Sequence, residues 1–138
     1  MKYFLDSAKL DEIDLAYNTF GIDGVTTNPR HIQNSGKPFK VVLRDIAAWV
    51  AAHGLEGYET FPVSVEINPH LDKAADMIAE GRTISALSKN FVIKLPCTAE
   101  GITASRKLEF RANGPPIRRP PSTPASNTAP TIKTRFDS

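Results

Sequence analysis

The 138-residue chain carries a single cysteine, Cys97, which excludes an intramolecular disulfide. No apolar run approaches the ~20 residues a membrane helix needs. The opening stretch Met1-Lys2-Tyr3-Phe4-Leu5-Asp6 is too short in its apolar part for a signal peptide. A cytoplasmic protein with no membrane partner is the expectation. Charge of one sign is also missing. With 17 basic against 15 acidic side chains the net charge is +2, so electrostatics gives no reason to expect a nucleic acid partner. His31, His53 and His70 lack metal-like spacing, and Gly21 to Gly24 is not a nucleotide fingerprint. No metal is expected. No fixed-period repeat is present either, so a solenoid is excluded.

What is present divides the chain. Six of the eleven prolines lie from Pro115 onward, among many Ser and Thr and almost no large apolar residues. Such a segment cannot offset its ordering entropy by burial, so 115–138 reads as a disordered tail. Before it, apolar periodicity alternates between two and about 3.6. Tyr3-Phe4-Leu5 is a short strand ending in Asp6, and Ser7 is the candidate N-cap of a helix carrying Leu10, Ile13, Tyr17 and Phe20 to Gly21. Gly24-Val25-Thr26-Thr27 forms a second strand that ends on Asn28, because the residue before proline is pushed out of the helical region. Pro38 opens a helix whose face is Phe39, Val42, Leu43, Ile46, Ala47 and Val50. Pro62 to Ile67 is a third strand, after which Asn68-Pro69 starts a helix with Leu71, Ala74, Ala75 and Ile78, ending at Gly81. Phe91 to Leu95 is a fourth, halted by Pro96, with Thr98 capping a helix to about Leu108. Four successive βα units imply a parallel sheet with helices outside it.

Each strand ends in a polar residue. Side chains alternate faces along a strand, so Asp6 shares a face with Phe4, Asn28 with Thr26, Glu66 with Ser64, and Lys94 with Val92. If the apolar faces cover the helices, the polar set points to the concave side at the C-terminal ends, where catalytic groups gather in β/α barrels. An amine flanked by Val92, Ile93 and Leu95 should be partly desolvated, which favours its neutral, nucleophilic form. It could then attack a ketose carbonyl to form a Schiff base, with Asp6 and Glu66 moving protons. Each residue also has a plainer reading: Lys94 as a snorkelling lysine, Asp6 and Asn28 as turn or cap residues, Glu66 as a solvated carboxylate.

Four segments carry a resemblance. Phe4-Leu5-Asp6-Ser7-Ala8, Asp23-Gly24-Val25-Thr26-Thr27-Asn28-Pro29, Val63-Ser64-Val65-Glu66 and Val92-Ile93-Lys94-Leu95-Pro96-Cys97-Thr98-Ala99-Glu100-Gly101 resemble the signatures of small transaldolases and fructose-6-phosphate aldolases. The resemblance implies a parallel (β/α) barrel and a class I aldol reaction on sugar phosphates such as fructose 6-phosphate, with no metal or organic cofactor. It implies Lys94 as the Schiff-base lysine and Asp6 as an acid/base group. Asn28, with Thr26 and Thr27 of the same motif, falls at the substrate hydroxyls. Glutamate at position 66, acting with a water, is typical of the transaldolases, whereas the aldolases carry glutamine, so the resemblance leans to transaldolase.

The resemblance ends near Leu108. Residues 1–108 therefore read as the N-terminal half of such a barrel, and 109–138 as an unrelated Pro/Ser/Thr-rich tail, from a truncated reading frame or in a deliberately short protein, with the activity expected to be impaired by the missing half. A complete barrel takes about 200 to 250 residues. Two other readings stand beside transaldolase: a fructose-6-phosphate aldolase, and a non-catalytic half-barrel that self-associates through its exposed sheet edges.

Overall fold

The order of elements follows the alternation in the sequence. The computed structural model describes residues 1–109 and 131–134. Strands β1 (Phe4–Asp6), β2 (Gly24–Thr26), β3 (Val63–Glu66) and β4 (Phe91–Pro96) lie side by side in chain order, all parallel. The helices between and after them are α1 (Leu10–Phe20), α2 (Pro29–Asn34), α3 (Phe39–Ala52), α4 (Ala74–Ser85) and α5 (Ala99–Glu109).

The sheet divides its two faces as alternation requires. Val25, Val63, Val65, Ile93 and Leu95 are completely buried, together with Ile13 of α1, Leu43 and Ile46 of α3, and Ala104 of α5. Val92, Lys94 and Pro96 on the other face of β4 are only half-buried. Asn90 anchors the start of β4: its side-chain amide donates to the carbonyls of Leu55, Gly57 and Phe61 and accepts from the Gly57 N–H. Together these contacts tie the loop before β3 to the strand that carries Lys94.

Several local expectations change. Ser7 does not cap α1. Its hydroxyl accepts from the Lys9 N–H and donates to Glu12, and Lys9 holds the cap position. Phe20, expected on the apolar face of α1, is exposed, and Ala16 takes a core position instead. Strand β2 stops at Thr26 rather than Asn28, because Asn28 caps the unexpected six-residue helix α2. The helix expected from Pro69 begins only at Ala74 and runs through Gly81 to Ser85. Asn68 closes a turn onto the His70 N–H, and the free N–H of Ala74 is met by Glu100, 2.8 Å away on α5. That partner is distant in sequence, so the boundary had no local signal.

Most of the segment expected to be a disordered tail, 110–130 and 135–138, lies outside the described residues. The exception is β5 (Thr131–Thr134), antiparallel on β4 with Lys133 opposite Lys94. Thr-Ile-Lys-Thr is β-prone and free of proline, and the β4 edge offers unpaired backbone groups to it. Of the two edges expected to be exposed, that of β4 therefore carries a strand.

Gly101 shows how tightly α5 seats against β4. A Cβ there would fall within impossible range of the Pro96 carbonyl oxygen and 3.3 Å from Thr98 Oγ1. Alanine ordinarily stabilises a helix by up to about 1 kcal/mol relative to glycine. Overpacking against backbone costs about 1–3 kcal/mol. We therefore expect Gly101→Ala to be destabilising, lowering the urea midpoint; a raised midpoint would show that α5 can move away from β4.

Candidate functional site

Lys94 and Glu66 face each other across β3 and β4. They are directly paired in register, and Lys94 Nζ lies 2.7 Å from Glu66 Oε2. Both side chains are about one-quarter exposed, at 27 and 25%. The expected apolar enclosure of the amine is absent, for a simple reason. Ile93 and Leu95 project to the opposite face and are buried in the core, leaving Val92 and Pro96 as the flanking residues on Lys94's own face. The amine meets a carboxylate instead, within reach for direct proton transfer. Ser64, one step back on the face of Glu66, has a buried hydroxyl with no hydrogen-bond partner among the described residues.

A second group forms over β1 and β2. Asp6 and Thr26 are paired in register, and the Thr26 hydroxyl donates to Asp6 Oδ1 at 2.8 Å. His31, in the first turn of α2, places Nε2 3.1 Å from Asp6 Oδ2. Partial burial by itself pushes the Asp6 carboxyl up. The hydrogen bonds from Thr26 and His31, with the positive charges of His31 and Lys94, outweigh it and hold the group below the usual carboxylate value. Asp6 is thus kept ionised, suited to accept a proton or a hydroxyl hydrogen bond.

Asn28 occupies the N-cap of α2, with Oδ1 accepting the His31 N–H at 2.9 Å. The plainer reading of Asn28 as a cap is therefore correct, and it does not exclude a second role. With the oxygen committed, the amide nitrogen remains as the donor a ligand could meet. Thr27 does not join the group: its side chain is buried and donates to the Ser64 carbonyl at 3.0 Å, tying β2 to β3. One face of the sheet thus carries Lys94 with Glu66, and Asp6 with Thr26 and His31; Asn28 lies beyond β2 at the cap of α2, and Thr27 is structural.

His31 is the residue that sequence reasoning passed over, since it was weighed only as a metal ligand. The available signal was the spacing Asn28-Pro29-Arg30-His31, which puts His31 at the capped N–H of a helix starting where β2 ends. Among the described residues no group of three or more His, Cys, Asp or Glu side chains could hold a metal ion, and no helix is long and apolar enough to cross a membrane. Cys97, just beyond β4, is a half-buried free thiol.

Comparison with known proteins adds an independent finding. The family described as Transaldolase/Fructose-6-phosphate aldolase matches residues 3–114. The chain is 60% identical over 109 residues to the 6-deoxy-6-sulfo-D-fructose transaldolase of Priestia megaterium, covering 79% of this chain and 46% of that protein. A probable transaldolase of Aquifex aeolicus is 43% identical over 109 residues, and one of Desulfatibacillum aliphaticivorans 40% over 108. Each of these two alignments covers 45% of the relative and, respectively, 79 and 78% of this chain. The chain spans about half the length of the curated relatives it matches.

Proposed function

The chain belongs to the transaldolase/fructose-6-phosphate aldolase family, and on that premise we propose that it carries the Schiff-base part of a transaldolase site acting on a ketose. The observation that carries this reading is the Lys94–Glu66 pair at 2.7 Å. Glu66 takes a proton from the Lys94 ammonium, and the neutral amine attacks the ketose carbonyl at C2 to form a C–N bond. Loss of water leaves an iminium. Asp6 then accepts the proton of the C4 hydroxyl, the bond between C3 and C4 breaks, and its electron pair moves toward the iminium nitrogen. An aldehyde leaves, and a three-carbon enamine remains on Lys94 until it adds to an acceptor aldehyde. The Thr26 hydroxyl lies beside Asp6, and the Asn28 amide at the cap of α2 is a further donor that a sugar hydroxyl could meet.

Glutamate at position 66 supports transfer over simple aldol cleavage. The 60% identity to a protein named for 6-deoxy-6-sulfo-D-fructose supports a second ketose, one with a sulfonate at C6, alongside fructose 6-phosphate. Both have the same reacting carbons, so both should reach Lys94. Incubating the chain with either ketose and borohydride is expected to add a reduced sugar to the peptide containing Lys94. The ketose that labels at the lower concentration identifies the preferred C6 group. Labelling by neither, or on a lysine other than Lys94, would refute the proposal.

A further inference from the structure

We infer that His31 is a positioning residue for the hydroxyl-binding end of the site: its imidazole fixes Asp6, while its backbone N–H caps Asn28 in the same helix turn. The inference rests on the reading of Asp6 as the base in carbon–carbon cleavage.

Asp6 ends a three-residue strand, and its side chain is 63% exposed. Unaided, such a carboxylate would rotate freely and rarely present an oxygen in one direction. Two donors approach it from different elements. Thr26 on β2 engages Oδ1 and His31 on α2 engages Oδ2, so neither oxygen can swing without breaking a bond. The bond runs from the imidazole Nε2–H to the carboxylate oxygen.

His31 acts on Asn28 through its backbone. The cap bond from the His31 N–H commits Asn28 Oδ1, which fixes the amide plane and leaves Nδ2 as the outward donor. The platform is rooted by the next residue: Ile32 is buried, and its N–H bonds the Asn28 carbonyl at 3.1 Å. The imidazole therefore orients the acceptor of Asp6, while the backbone N–H, which any non-proline residue here would supply, holds the Asn28 amide. The charged groups around the pair are Lys94 on β4, which acts on Asp6, and Glu12 on α1, which feels His31 and is itself paired with Lys9.

The test reads cleavage separately from Schiff-base formation. Borohydride captures the Lys94 adduct as a six-carbon sugar before the C3–C4 bond breaks, and as a three-carbon unit afterward, once the enamine has taken a proton at C3 and become a reducible iminium. Mass spectrometry of the Lys94 peptide gives both amounts in one experiment on the 138-residue chain. In His31→Leu we expect unchanged total adduct, with the rate of three-carbon adduct reduced about 10- to 100-fold, the scale of a misplaced catalytic group. His31→Gln, which keeps a donor near the same place, is expected to restore most of it. Equal three-carbon rates in the wild type and His31→Leu, or equal losses in both variants, would overturn the inference. So would a wild-type adduct that stays six-carbon throughout. The Asp6 carboxyl titration, followed by ¹³C NMR, is the arm that does not depend on chemistry. Its midpoint should rise in His31→Leu, and an unmoved midpoint would overturn the inference even where labelling succeeds. If Lys94 takes no label in the wild type, the Schiff-base reading fails, and the same titration still decides whether His31 holds Asp6.

Discussion

Lys94→Arg is expected to reduce ketose trapping by borohydride to background. The substitution keeps the positive charge and the reach toward Glu66, so the pair across β3 and β4 can re-form. A pair exposed to this degree contributes at most about 1 kcal/mol to stability, and its disturbance cannot unfold the sheet by itself. The guanidinium, however, cannot lose a proton in the working range and has no nucleophilic nitrogen to offer. Loss of labelling with an unchanged circular dichroism spectrum would therefore isolate chemistry from folding. Continued labelling at the wild-type rate would mean that another amine does the work. Lys9 and Lys37 would be the first to check, since both line a cavity of about 490 Å³ beside α1 and α3.

Glu66→Gln is expected to slow transfer from fructose 6-phosphate to erythrose 4-phosphate by about 10² to 10⁴, the usual contribution of a positioned acid or base. The assay calls for the chain joined to the remaining half of a relative, because the known relatives are about twice as long as the matched region. Glutamine preserves size and hydrogen bonding but cannot shuttle the proton between Lys94, the carbinolamine and water. Adduct should still accumulate on Lys94 at long times, since the amine itself remains. That split separates a proton-transfer role from a structural one. An unchanged transfer rate would reduce Glu66 to the ion-pair partner of Lys94.

The reach of the sequence can be judged element by element. Strand β4 was legible because Phe91, Ile93 and Leu95 alternate with Val92, Lys94 and Pro96, and the structure buries the first set and half-exposes the second. Helix α3 was legible because its apolar residues recur at helical spacing, and Val42, Leu43, Ile46 and Val50 are all buried. The start of α4 was not, because the group that meets its first N–H is Glu100, 26 residues away. Helix α2 escaped because six residues are too few to show a periodicity.

The sequence by itself placed Asp6, Asn28, Glu66 and Lys94 at or near the C-terminal ends of the strands, since a period of two is a local property of the chain, but not the stops themselves: β2 ends at Thr26 and β4 runs through Pro96. It also determined the family, through the segments around Asn28 and Lys94. Only the tertiary structure decided how those groups are paired. Strand register put Glu66 opposite Lys94 and Thr26 opposite Asp6. The same packing buried Thr27 and tied its hydroxyl to the Ser64 carbonyl. Helix α2 brought His31 onto Asp6 across 25 residues of chain. Register and packing arise from contacts between distant segments, which no window along one strand can contain.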